Sequence, residues 1–150
     1  MKVKIKKLNP NAVIPFKKHK EDFCYDVVAT SKEKIAPRTY KYGLGFALQI
    51  ERDIDYKDGN LILDIDLRPR SSIYKTGMIL SNCTGTIDEI YIGEVSAVFY
   101  HVIEELQEYN VGDRIGQIKL GFTSPIEFEE VDNLSETERG EGGFGSTNIQ

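Results

Sequence analysis

From Leu61 to Leu67 an apolar residue recurs at every second position. Leu61, Leu63, Ile65 and Leu67 share one side, with Ile62, Asp64, Asp66 and Arg68 on the other. A period of two sends successive side chains to opposite faces, so 60–68 is expected to be a half-buried antiparallel strand. The period returns along the chain. Val3 and Ile5 share a face, as do Phe46, Leu48 and Ile50 beyond the Gly43 and Gly45 turn region, and 95–102 and 118–122 are expected to be further strands. Residues 126–131, Ile-Glu-Phe-Glu-Glu-Val, suit an edge strand whose charges discourage unwanted pairing. Turn signals separate these runs at Asn9-Pro10-Asn11, Ala36-Pro37, 57–60, Val111-Gly112-Asp113 and Ser124-Pro125. No window supports an amphipathic helix of three turns. One short helix is expected after Pro69, through Ser71 and Ile73, stopping at Gly77 as a C′ glycine. Many short strands with regular turns confine the chain to an all-β sandwich, jelly roll or small barrel.

The 150 residues are enough for one domain, and their formal charge of −5 disfavours nonspecific binding to nucleic acid or an anionic membrane, since both require a basic face. An anionic ligand must then be met by local arginines. The N-terminal Met1–Leu8 alternates charged and apolar residues rather than forming a signal peptide, and no run is long enough to span a bilayer. Cys24 and Cys83 lack metal-ligand spacing and are too few for a disulfide framework. The expectation is a cytoplasmic protein with free thiols.

Five segments carry chemistry. In 139–148, four glycines accompany Arg139, Phe144, Ser146 and Thr147. Such a run can bring backbone N–H groups, hydroxyls and a guanidinium to phosphates while Phe144 stacks on a ring, as a mobile lid would. Arg68-Pro69-Arg70-Ser71-Ser72 ends a strand and opens the short helix, a setting for an anion. In 82–94, Asp88 and Tyr91 would face opposite ways on an unbroken strand, so a turn or bulge making a hairpin is required to bring both to one pocket, where free backbone groups can read a base edge. Gly112–Gln117 is a turn entering a strand, with Gly116 a candidate bulge and Gln117 a neutral donor and acceptor. Asp26 lies inside the apolar strand 24–29. It must either be hydrogen-bonded locally or stand near a metal-phosphate cluster. His19 and His101 show no metal or triad spacing.

Taken in this order, the five segments resemble the five motifs of the trimeric dUTPase family, over about Asp22–Asn148. The resemblance implies an all-β, jelly-roll-like subunit (1–134) assembled as a homotrimer, with a Gly-rich arm (135–150) closing over active sites at subunit interfaces. It implies hydrolysis of dUTP to dUMP and pyrophosphate with Mg2+, Asp88 acting as general base and Arg139 assisting. Arg70, Ser71, Ser72 and Gln117 would hold phosphates, and Asp26 would meet magnesium through its water shell. Asn82, Gly85, Thr86 and Ile87 would read the uracil edge, with Ser96 a weaker base contact. Tyr91 would exclude a 2′-hydroxyl. Phe144 would cover the base, Arg139, Ser146 and Thr147 would clamp the γ-phosphate, and Gly145 would be a further substrate contact. The chain departs from the family at Cys24, Ser72 and Asn148, where glycine is usual, and in the longer, more acidic Asp53–Asp66 segment.

Two other readings compete. The related dCTP deaminases carry an essential glutamate ten residues after the motif aspartate. Val98 stands there, preceded by Ala97, and valine cannot move a proton. A protein-binding module on the same scaffold would most naturally use Asp53–Asp66.

Overall fold

In the computed structural model, which describes residues 2–52 and 61–143, the alternating runs become ten strands and one turn of 3-10 helix. The strands are β1 Lys2–Lys7, β2 Tyr25–Val28, β3 Glu33–Ala36, β4 Thr39–Gly43, β5 Phe46–Glu51, β6 Ile62–Arg68, β7 Met78–Leu80, β8 Gly85–Asp88, β9 Ser96–His101 and β10 Arg114–Thr123. All pairings between named strands are antiparallel. β1 pairs with β5; the two four-stranded sheets run β2-β10-β6-β8 and β3-β4-β9-β7. The chain is all-β, as expected, and no α-helix occurs among the described residues.

Alternation decides which faces meet. Leu63, Ile65 and Leu67 of β6 are buried while Asp64 and Asp66 look outward. Val27, Ile115 and Ile118 join them from β2 and β10, and Tyr42, Leu44, Phe46, Val95 and Phe99 fill the core from the other side. Tyr42, Phe99 and Tyr109 meet edge-to-face, with centroids 5.7, 6.4 and 5.4 Å apart, the arrangement that ring quadrupoles favour. Tyr42 donates its hydroxyl to the Tyr109 carbonyl at 2.9 Å, and burial pushes its pKa up. His101 is a core histidine whose Nε2–H donates to the Leu106 carbonyl at 2.9 Å. Both cysteines are free thiols, Cys83 exposed.

Two backbone positions need glycine. Gly77 takes φ +61 just after the 3-10 helix Ser71–Lys75, where a Cβ would strike the Ile103 carbonyl. The expected short helix is therefore present in 3-10 form, ending at Thr76. Gly116 occupies a register shift between β10 and β2, with the Arg68 carbonyl 3.0 Å from where its Cβ would stand, so the predicted bulge is present.

Two expectations are corrected. Residues 126–131 form no edge strand. Ile126, Phe128 and Leu134 are 71%, 91% and 88% exposed, because β10 ends at Thr123 and no described strand edge pairs with the segment beyond it. Nor do 82–94 form a two-stranded hairpin. β8 gives its ladder to β6, with Asp88 opposite Asp64 and Thr86 opposite Asp66, and the return through 89–95 is not a strand. The expected turn at 57–60 lies outside the described residues, as do Phe144, Gly145, Ser146, Thr147 and Asn148.

Candidate active site

β8 is an edge strand, so one side of its backbone is not used by the sheet. The chain then turns, with the Tyr91 N–H donating to the Asp88 carbonyl at 2.9 Å. Beyond Tyr91 the return is fastened to the β4–β5 corner. Glu94 accepts the Gly45 N–H at 2.9 Å, and Val95 exchanges backbone bonds with Leu44 and Phe46. Tyr91 folds over Gly93, where a Cβ would stand 2.6 Å from the ring carbon bearing the hydroxyl, and donates that hydroxyl to the Glu94 carbonyl at 3.1 Å.

This path encloses a hollow of about 350 Å3. Asn82, Gly85, Thr86, Ile87, Asp88, Tyr91 and Ser96, the residues expected to read a base and sugar and supply the base catalyst, all line it. Asp88 is exposed, and its carboxylate has no hydrogen-bond partner among the described residues. It can therefore accept from a water or a ligand hydroxyl. Lys41 and Glu94 also line this hollow and escaped the sequence reading, Lys41 because it arrives from a remote strand, β4.

A second hollow, of about 420 Å3, is lined by Arg70, Ser72, Lys75 and Arg114 together with the 107–110 loop. Below it Asp26, only 7% exposed, accepts three charge-assisted or polar bonds. Arg70 Nε at 3.2 Å and Gln117 Nε2 at 2.9 Å reach Oδ1, and Arg114 Nη1 at 2.9 Å reaches Oδ2. The carboxylate of Asp26 is thus hydrogen-bonded to Arg70, Arg114 and Gln117, as a buried acid requires. A buried carboxylate so engaged holds two guanidinium groups at the wall of the opening, a surface suited to an oligophosphate, whereas Gln117, bonded to Asp26, does not line the hollow. Arg70 Nη1 also reaches Ser72 Oγ at 3.4 Å. Ser71 opens the 3-10 helix, is exposed and does not line the hollow. Arg114 stood inside a recognised segment but was not singled out; its signal was a cation at the mouth of a strand whose neighbour carries a buried aspartate.

One chain does not bring the two hollows together. Gln117 pairs across to Asp26 on one side and Arg68 on the other, while Asp88 pairs with Asp64, four residues further along β6. Three strand spacings and four residues of rise separate Asp26 from Asp88 by roughly 20 Å. Arg139 lines neither. It sits in an exposed turn, donating Nε to the Gly142 carbonyl at 2.8 Å.

The family model for dUTPase matches residues 10–148. The chain is 38% identical to the deoxyuridine 5'-triphosphate nucleotidohydrolase of Nautilia profundicola, over 98% of this chain and 99% of that protein. To that of Clostridium novyi it is 33% identical, over 99% and 100%. Its fold is similar to that of the Staphylococcus bacteriophage 80alpha dUTPase solved with dUPNHPP, at a TM-score of 0.76 and 23% identity over 99% of both chains. A mutant dUTPase from phage phi11 of S. aureus, described with a structural Mg(II) ion, aligns at a TM-score of 0.67 and 18% identity over 91% of this chain and 100% of that one.

Proposed function

Because this chain belongs to the dUTPase family, we propose that it hydrolyses dUTP to dUMP and pyrophosphate. Asp88 orients a water and takes its proton as the oxygen attacks the α-phosphorus; the bond from that phosphorus to the bridging oxygen breaks, and pyrophosphate leaves. The observation that carries this reading is the 350 Å3 hollow, which gathers Asn82, Thr86, Ile87, Tyr91 and an Asp88 carboxylate unpartnered among the described residues, beside a strand edge that no described strand pairs. A strand edge offers N–H and C=O groups in the alternation a pyrimidine edge requires, and Tyr91 packed over Gly93 leaves little room for a 2′-hydroxyl. Arg70, Ser71, Ser72 and Gln117 take the phosphates, with Arg114 beside them.

Asp26 fits an outer-sphere role toward Mg2+. A carboxylate offers about four lone-pair positions and three are taken by Arg70, Arg114 and Gln117, so room remains for a metal-bound water but not for a bare ion. Among the described residues no group of three His, Cys, Asp or Glu could hold a metal by itself, so the ion is expected to arrive with the triphosphate. When bound, it supplies charge neutralisation of the phosphate oxygens.

The working unit in this reading is a homotrimer. The roughly 20 Å between the two half-sites favours a site completed across subunits. The apolar groove lined by Val3, Ile5, Ile14, Leu48 and Leu120, and the exposed Ile126, Phe128 and Leu134, are surfaces that assembly can cover. The body, 1–134, then carries both half-sites, and the arm, 135–150, brings Arg139, Phe144, Gly145, Ser146 and Thr147 over a neighbour's substrate. No helix among the described residues is long and apolar enough to cross a membrane, and a cytoplasmic location accords with the proposed substrate.

The test is incubation with magnesium and, separately, dUTP, dCTP, dTTP and UTP, measuring pyrophosphate and ammonia. Pyrophosphate from dUTP alone is the expected result. Ammonia from dCTP would move the chain to the deaminases, against which Val98 argues: it sits half-buried on β9 opposite Lys41 and holds no titratable group. Silence on all four would favour the binding-module reading.

A further inference from the structure

The residue after Asp88 is held by an ion pair that the proposed mechanism does not use. Glu89 accepts both fork positions of Arg52, Nε on Oε1 at 2.7 Å and Nη2 on Oε2 at 2.6 Å. The same Nη2 donates to the Leu61 carbonyl at 2.8 Å, and Glu89 Oε2 lies 3.4 Å from the Leu63 N–H. Arg52 directly follows β5, Leu61 directly precedes β6, and Glu89 directly follows β8. One guanidinium therefore ties three strand ends at a single point.

That point lies where the β6–β8 ladder stops. The last pair is Asp64 with Asp88, so no cross-strand charge pair fastens the final rung, and the Asp64 carboxylate leans over Gly121 of β10 instead. Past it the chain makes the Asp88–Tyr91 turn that forms the hollow. Without a fastening, the end of an edge strand frays, and the carboxylate on its final residue moves with it. A bidentate arginine fixes direction as well as distance, which a lysine cannot do.

We propose that Arg52 is a positioning residue for the reaction, clamping Glu89 so that the adjacent Asp88 carboxylate is held in its productive orientation at the fraying end of β8. The inference rests on the reading of Asp88 as the base. Arg52 does not line the hollow, so its removal acts on the chemical step more than on nucleotide binding. Displacing a base by a fraction of an ångström to one ångström costs about ten- to a hundredfold in rate.

The experiment compares Arg52→Ala, Arg52→Lys, Asp88→Asn and the Arg52→Ala/Asp88→Asn double variant in the full chain, reading kcat, KM for dUTP, affinity for a non-hydrolysable dUTP analogue, and thermal melting. Expected are a kcat loss of about tenfold for Arg52→Ala, a smaller loss for Arg52→Lys, and KM and analogue affinity within about twofold of the parent. In the Asp88→Asn background Arg52→Ala should cost nothing further, because it acts through the group already removed. Wild-type kcat in Arg52→Ala alongside a dead Asp88→Asn would overturn the clamp and leave the base assignment standing. Full additivity in the double variant, or parallel losses in kcat, affinity and melting, would reduce Arg52 to a structural residue. Wild-type turnover in Asp88→Asn would instead sink the base assignment itself. Should Arg52→Ala fail to fold, Arg52→Lys and its double with Asp88→Asn carry the same comparison.

Discussion

The two hollows are built in opposite ways. The one around Asp88 comes mainly from a short contiguous stretch, 82–96, with Lys41 and Leu67 added from β4 and β6, is shaped mainly by backbone bonds and one packed tyrosine, and its key carboxylate has no partner among the described residues. The one around Arg70 is collected from separate strands and loops, and two of its cations, Arg70 and Arg114, already share one buried carboxylate, Asp26. The difference teaches that recognition of a flat polar edge needs shape in advance, whereas recognition of a highly charged group needs charges that are stable before the ligand arrives. Asp26 serves as that internal counter-ion.

The largest effect should come from the uncompensated side. Asp88→Asn should lower kcat by about 10^2- to 10^4-fold with nucleotide affinity nearly unchanged, measured by pyrophosphate release and analogue titration. Parent-level turnover would break the contrast, since the open carboxylate would then have no task.

On the compensated side, Asp26→Asn should cost about 1–3 kcal/mol of stability, because two guanidinium groups lose their counter-charge and one of the two acceptor oxygens becomes an amide donor. It should also weaken substrate binding by misaligning Arg70 and Gln117. Pyrophosphate should raise the melting temperature of this variant more than that of the parent, the ligand restoring the missing negative charge. Equal shifts in both proteins would mean that Asp26 does not act as a counter-ion.

Smaller again is Tyr91→Phe, which removes only the hydroxyl bond to the Glu94 carbonyl. A kcat/KM loss of about two- to fivefold is expected, equal for dUTP and UTP, because the ring proposed to meet the sugar remains. A selective gain in UTP turnover would show that the hydroxyl, rather than the ring, carries discrimination.

The smallest effect lies between the hollows, at Asp64. Burial and then the neighbouring Asp66 push its pKa up. The native state therefore keeps this proton to higher pH than the unfolded chain, and stability falls as pH rises through that window. Asp64→Asn should melt about 1–3 °C higher than the parent at pH 7, with the gap closing toward the ordinary carboxylate range. Asp66 beside it shifts the other way, since burial is outweighed by Lys119 and Arg68, so Asp66→Asn should lower stability at pH 7.

The contrast also explains what could be read from the residues alone. The alternation of 61–67 survived into the structure because one face had a core to enter, and the hollow around Asp88 was legible because its residues are sequence neighbours. Asp26 could be recognised as needing partners, but Arg114, which lies 88 residues away, could not be assigned to it before strands β2 and β10 were placed side by side. The 126–131 strand failed for a related reason. Alternating composition records a willingness to pair, while the partner edge is a property of the fold, and none of the described edges takes it. Lys41 belongs to the same class, since nothing near it in sequence hints that β4 passes beside Tyr91.

The separation of Asp88 from Asp26 along and across one sheet has a genetic consequence. Two dead proteins, one altered only at Asp88 and the other only at Arg70, should revive each other when unfolded together and reassembled. If each site draws one half from each of two neighbouring copies, random mixing in equal amounts leaves about a quarter of the sites with both halves intact. Heterozygous damage to this molecule would then be partly self-correcting, which no enzyme with its whole centre in one chain can achieve.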